Sequence, residues 1–303
     1  MSDLYELIRS TGILPAEGQS FMMDDKVHRF RIYGEKTIRA SGSYQLFQRP
    51  DGKIIGWVRD HRQALTVTVT SKAARPMSAA EHQKMLADRA AKVAEKEAVQ
   101  FETAVRARKI YMGGRDNIKH PYAERKGVPI VGARVIRDLL LVPAYDYQTD
   151  NKICNVQCIN PDGEKRFLTN GKKTGCMGAI PPRQGNGINT IYVVEGWATG
   201  VSVWLATGCA ISIAFDCGNL ISVVEVLRGK HPASKIVIAG DNDQWTAKPD
   251  GTPFNPGRAF AELAKPNRIL LPDFAADHPL RLTDWNDYHK VHGLDSLKER
   301  FLV

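Results

Sequence analysis

At 303 residues the chain can bury one large core or two to three modest ones, and its composition is ordinary for a soluble protein. The formal charge of +9 is uneven: residues 185–303 hold 11 Lys and Arg against 13 Asp and Glu, leaving 31 against 20 before them, which suits a polyanion held by one part and worked on by another. No apolar stretch reaches the length of a membrane span and the start MSDLYELIRS has no signal-peptide pattern, so the expectation is a cytoplasmic protein with no membrane partner.

Residues 1–75 read as a small β-rich unit. Residues 27–33 (VHRFRIY) alternate as a half-buried strand does, 43–48 form a second candidate, and after a turn at Pro50-Asp51-Gly52 comes a third at 54–58. Arg29, Arg31, Lys36 and Arg39 alternate with Phe30 and Tyr33, and Phe47 and Trp57 follow. Two readings stay open. Either a basic, aromatic sheet face holds single-stranded nucleic acid through Arg29 and Arg31, or the aromatics fill a core and the arginines face water.

Ser78 with Glu81 makes a capping box, and the Ala-, Glu-, Lys- and Arg-rich run behind it predicts a helix over 79–112, ended by Gly113-Gly114. Unbroken, it would span about 50 Å. Its apolar stripe is thin, which marks a connector. Residues 139–171 read as a meander of strands with turns near Asp150 and at Pro161-Asp162-Gly163, and the Pro/Gly-rich 178–187 is a loop. Of the five cysteines, Cys154 and Cys158 have loose zinc spacing but no second Cys/His pair nearby, so all five read as reduced and no zinc is expected.

The last part carries the chemistry. Tyr192-Val193-Val194 runs into Glu195, and Ile236-Val237-Ile238 runs towards Asp241 and Asp243. Continuous apolar runs of this length predict parallel strands buried on both faces, with helices over 197–206 and 219–228 between them. Open α/β sheets place ligands just past the carboxyl ends of such strands. Three carboxylates converging there repel one another unless a cation neutralises them, and their hard oxygens suit magnesium, with manganese as a substitute. Further on, a helix over 257–264 precedes a strand at 268–271, and Thr283 or Asp284 caps a helix start that includes Asp287.

VVEGWATGVSVWLATG, IAFDCGNL, IVIAGDND, NPG (255–257), LLPDF (270–274) and TDWNDYH (283–289) together resemble, in order, the Toprim-domain DNA primases of plasmids and phages. The resemblance runs from about residue 20 to the end and lacks the zinc module with which chromosomal bacterial primases begin. It implies an α/β fold: a C-terminal Toprim parallel sheet flanked by helices, a mixed α+β basic region before it, and the small β-rich N-terminal unit. The division it implies is 1–75, a connecting helix at 76–114, a basic primase-like subdomain at 115–184 and a Toprim catalytic domain at 185–303. It implies Glu195, Asp241 and Asp243 as catalytic residues and metal ligands, Asp284 and Asp287 as further metal contacts, and Arg125, Lys126, Lys165 and Arg166 as holders of template or nucleotide. The implied reaction is magnesium-dependent synthesis of short RNA primers from nucleoside triphosphates on single-stranded DNA. No GxxxxGK[ST] occurs in the 303 residues, so a separate replicative helicase is the expected partner. A Toprim metal-dependent nuclease and a non-catalytic DNA-binding accessory are the alternatives.

Overall fold

The chain folds as two units, Met1–Val93 with Trp245–Pro256, and Ala94–Gln244 with Gly257–Val303. The computed structural model describes residues 2–35, 40–62, 65–72, 75–116, 118–150, 152–247, 252–275 and 281–302. Lys36 and Arg39 lie outside the described residues. Among those described, no helix is long and apolar enough to cross a membrane.

In the first unit, helix α1 (Ser2–Arg9) precedes an antiparallel sheet of β1 (His28–Phe30), β2 (Gly42–Gln48), β3 (Ile54–Asp60) and β4 (Leu65–Thr70), paired in chain order. Successive side chains leave a strand on opposite faces. One face carries Phe30, Tyr44, Leu46, Val58 and Val69, packed with Ile8 and Ile13 in a closed core. Helix α2 (Ala79–Met112) starts in this unit and continues into the second, and its capping box forms as the sequence predicts: the Glu81 amide donates to Ser78 Oγ at 3.3 Å and the Ser78 amide donates to the Glu81 carboxylate at 3.0 Å.

In the second unit the last turns of α2 bury Ala107 against Leu141 and Val156. Helix α3 (Pro121–Lys126) follows, with Pro121 in its first turn and Gly127 closing it in the left-handed region at φ 67°. The strands β5 (Arg134–Ile136), β6 (Leu139–Asp146), β7 (Lys152–Ile159) and β8 (Lys165–Phe167) make an antiparallel meander. Then come β9 (Gly178–Ile180), β10 (Thr190–Val194), α4 (Trp197–Thr207), β11 (Ala210–Ile213), α5 (Leu220–Lys230), β12 (Lys235–Ala239), α6 (Pro256–Leu263), β13 (Arg268–Leu270) and α7 (Trp285–Phe301). Their strands form one sheet in the order β13-β12-β10-β11-β9, parallel except for the edge strand β9. The fold is thus mixed α/β, with a mostly parallel sheet flanked by helices.

Four of five residues in β10 and in β12 are buried, which is why both read as unbroken apolar runs. Helices α4 and α7 pack together, and Trp197, Val201, Trp285 and Leu297 join Val194 and Ile213 in one core. Trp197 is fully buried, and its indole N–H donates to Val131 O at 2.8 Å, so its polar tip is satisfied. Gly293 departs from helical geometry and kinks α7. Because β10 pairs with β11 on one side and β12 on the other, the chain order reverses at β10, and that reversal positions the site.

Candidate active site

Glu195 follows β10 and Asp241 follows β12 by one glycine. The strands are parallel neighbours, so both acids stand at one edge of the sheet, at the switch point. The Asp241 amide donates to the Glu195 carboxylate. Even so, Glu195 Oε1 and Asp241 Oδ1 are buried and have no hydrogen-bond partner. Burial pushes Glu195 up to about 8, with repulsion from Asp243 and Asp216 adding and Lys165 opposing. Asp241 is raised well above the usual carboxylate range by burial first, then by Glu195, Asp284 and Asp243. The same negative field shows at Cys217, whose thiol is pushed up to about 12 by burial and then by Glu195 and Asp216.

Two buried, unpaired carboxylate oxygens fit a hard divalent cation, which takes one or two side chains and completes its shell with water and substrate phosphate. Glu195, Asp241 and Asp243 stand close enough to act on one another's charge. Among the described residues no group of three or more His, Cys, Asp or Glu is gathered closely enough to hold a metal ion. Asp243 Oδ2 accepts the Gly257 amide at 3.1 Å where α6 begins. Asp243 is raised by burial, against that hydrogen bond.

Glu195 and Asp241 border a cleft of about 190 Å³ lined also by Asp284, Lys126 and Lys165, among others. Asp284 is the N-cap of α7: its Oδ1 accepts the Asp287 amide at 2.8 Å, and Asp287 Oδ2 accepts the Thr283 amide at 3.2 Å. Lys126 Nζ stands 3.8 Å from Asp284 Oδ2 and 3.6 Å from Asp287 Oδ1. The capping alternative is therefore formed, with a lysine counter-ion beside both acids. Lys126 is fixed through its own backbone, since the fully buried Asn286 donates to Lys126 O at 2.9 Å and to Ser202 Oγ at 3.0 Å.

Strand alternation separates Lys165 from Arg166. Lys165 lines the cleft, with Nζ 6.0 Å from the centre of the Tyr122 ring. Arg166, one residue on, is exposed, points to the other face and pairs with Glu164 at 3.3 Å. Arg125 is exposed, and its Nη2 donates to Pro161 O at 2.7 Å, outside the cleft lining. Arg29 and Arg31 belong to the first unit, where both are exposed, while Phe30 is buried in the core cluster and unable to stack on a ligand.

The cleft also holds residues that the sequence reading passed over. Asp216 follows β11, the other parallel neighbour of β10, and so falls on the same edge; its side chain pairs with Lys173 and accepts the Asn219 amide at 3.1 Å. An acid just past a strand was the available signal, in the phrase IAFDCGNL. Tyr122, Thr199 and Phe215 complete that wall. Phe215 has φ 71°, a left-handed conformation costly for a bulky residue, and its ring meets Phe167 edge-on at 5.0 Å. No sequence pattern announces that.

The class so defined is an α/β protein with a cleft at the switch point of a mostly parallel sheet, lined by acids and lysines. In sequence the chain is similar to two proteins from Escherichia coli named DNA primase TraC. It is 33% identical to one over 284 residues and 32% identical to the other over 289, in each case across 89% of its own length. The chain spans about a quarter and a fifth of the length of these curated relatives, at 26% and 19%. No family model matches the chain. Among solved structures it is similar to the primase fragment of the bacteriophage T7 primase-helicase protein at a TM-score of 0.38 and 13% identity, over 59% of this chain and 68% of that one, a likeness too slight to carry an argument.

Proposed function

We propose that this chain carries a Toprim-type primase core, a nucleotidyltransferase that joins nucleoside triphosphates into short RNA primers on single-stranded DNA during plasmid or phage replication. One observation carries the reading: Glu195 Oε1 and Asp241 Oδ1 are buried and unpaired at adjacent parallel strand ends, with Lys165 and Lys126 lining the same cleft. The similarity to the TraC primases supports the reaction class.

Glu195 and Asp241 are the residues that would hold magnesium, or manganese in its place. When bound, the metal neutralises charge on the triphosphate and leaving pyrophosphate and lowers the pKa of the primer 3′-hydroxyl. Asp243, anchored on the Gly257 amide, adds negative charge to the ligand pair without closing the shell. Lys165 and Lys126 are point charges for the phosphates. The first turn of α4, which begins beside Lys165, adds its free amides: a Cβ built on Gly196, the helix cap, would lie 3.7 Å from Lys165 Nζ. Asp284 and Asp287 hold Lys126 in place and would be further residues available to a metal. Arg125 and Arg166, outside the cleft, hold template. Burial and acidic neighbours favour the protonated form of Glu195, so holding a cation would require it to release that proton. Unwinding falls to a separate replicative helicase.

The test is incubation with single-stranded DNA, labelled nucleotides and magnesium, with products sized on a gel. New short products that vanish in Asp241→Asn are expected. Shortened template instead identifies a nuclease, and neither product identifies a binding accessory.

A further inference from the structure

We propose that the open face of the β1–β4 sheet is a binding platform for single-stranded nucleic acid, built from Arg29, Arg59 and Trp57. The occupant's identity as template rests on the proposed function; the platform itself does not.

The register sorts this face row by row. Arg29 and Arg59 both flank Ser43, and Arg59 in turn faces Thr66. The next row is Gln45, Trp57 and Thr68, and the third is Phe47, Ile55 and Thr70. Strands spaced by about 4.8 Å put the two arginines roughly 10 Å apart across the sheet. The opposite face is the closed core, and two glycines enforce the sorting: a Cβ on Gly42 would lie 2.5 Å from the Phe30 ring, and one on Gly56 would lie 2.8 Å from Leu46 Cδ2. The arginines, the tryptophan and the threonines therefore share the face that no core covers.

That face is concave. A cavity of about 350 Å³ is lined by Arg29, Ser43, Trp57, Arg59, His61 and Thr66 together with Val27, and no acid is among them. Asp60, the neighbour of Arg59, turns to the other side, where it is buried and paired with Arg62 at 3.2 Å. Arg59 Nε is buried with no hydrogen-bond partner, a donor that a phosphate oxygen would satisfy. His61 is held below its usual value by burial and then by Arg29 and Arg59, and its Nε2 lies 2.8 Å from the buried Ser43 Oγ. At this ring the two arginines act against Asp60, and on the next row Gln45 Nε2 donates to Asp25 Oδ1 at 3.2 Å. Trp57 is half-buried, its indole N–H already donated to Gln45 Oε1 at 3.0 Å, so the ring is held in place.

Positive groups beside an anchored aromatic ring are the chemistry that holds a strand whose bases are free to stack. A duplex hides its base faces and would meet only the charges. The occupant is therefore a single strand, DNA or RNA.

The experiment uses the full chain and a fluorescein-labelled thymidine oligonucleotide, with anisotropy read across a salt series. Arg29→Gln with Arg59→Gln should flatten the slope of log affinity against log salt by roughly 1.4, from two phosphate contacts on a single strand. Trp57→Ala should lower affinity roughly 5- to 150-fold, the range for losing one stacked base, and Trp57→Phe should recover most of it. Arg9→Gln, on the helix behind the core face, should leave both unchanged. An unlabelled RNA of the same length should compete, and a duplex should be insensitive to Trp57→Ala. Unchanged slope and affinity in the arginine pair, with melting unchanged, overturns the platform, and so does equal dependence of duplex binding on Trp57. If wild type makes no primer yet Trp57→Ala binds weakly, the platform stands and the primase reading fails. If wild type makes primer and every variant binds fully, the platform alone fails.

Discussion

At Glu195 burial and neighbouring acids both disfavour the ionised form. A buried carboxyl with an unpaired oxygen and acidic neighbours favours its neutral form until a cation arrives. Its ordinary value is 4.5 and its folded value about 8. A raised acid stabilises the fold while protonated; that contribution is complete below 4.5 and is lost as pH rises through about 8. Without divalent ions, the melting temperature of wild type relative to Glu195→Gln should therefore fall between pH 5 and 8.5. Magnesium favours the ionised form, so adding it should remove or reverse the fall. A difference that stays flat with pH in the absence of metal would sink the assignment of Glu195 as a buried, cation-coupled acid.

Elements explain what was readable and what was not. The runs before Glu195 and Asp241 were legible because a strand buried on both faces has no polar alternation to confuse it. The capping box at Ser78 and the helix start at Asp284 were legible because caps are local. Which face of β1 meets the core was not legible, since alternation is symmetric; Gly42, by admitting the Phe30 ring, decides it from another strand. Helix α1 and strand β4 went unread, the latter because the outward Thr66, Thr68 and Thr70 mute its contrast. Asp216 needed the strand order, which the sequence does not state. Strand alternation also splits a pair that sequence treats as one. Lys165→Ala should weaken triphosphate and template binding and flatten the salt slope by roughly 0.7, while Arg166→Ala should do far less. Equal effects in a binding titration would show that the cleft is not where phosphate sits. The phrase NPG gains a reason as well. A Cβ on Gly257 would lie 2.2 Å from Asp241 O, so α6 starts against the backbone of a site residue. Gly257→Ala should cost about 1–3 kcal/mol, as overpacking does, and should also reduce magnesium-dependent stabilisation. A thermal melt with and without magnesium reads both effects, and a wild-type profile would remove Gly257 from the support of the site.

At the scale of the whole molecule, charge is divided between parts: the excess of Lys and Arg lies before residue 185, and the acids of the cleft come after it. Binding and chemistry should therefore separate under mutation, and Asp241 and Asp243 should separate from each other. Asp241 has an unpaired buried oxygen and acidic neighbours. Asp241→Asn keeps its shape and removes that repulsion, so the metal-free protein should melt slightly higher than wild type. Wild type should gain about 2.7 kcal/mol at a magnesium concentration one hundred times its dissociation constant, and Asp241→Asn should gain almost nothing. Asp243 instead accepts the Gly257 amide, so Asp243→Ala should lose about 0.5–2 kcal/mol without metal, as a lost helix cap does. Both variants should keep most of their affinity for single-stranded DNA, because the basic residues are untouched, while primer synthesis falls by orders of magnitude in Asp241→Asn. The decisive measurement is the set of metal-free melts, magnesium titrations and gel assays on the same preparations. Near wild-type synthesis by Asp241→Asn would place the chemistry elsewhere. A metal-free Asp241→Asn that melts far below wild type would make Asp241 a structural residue, because removing charge repulsion cannot destabilise a site whose acids oppose one another.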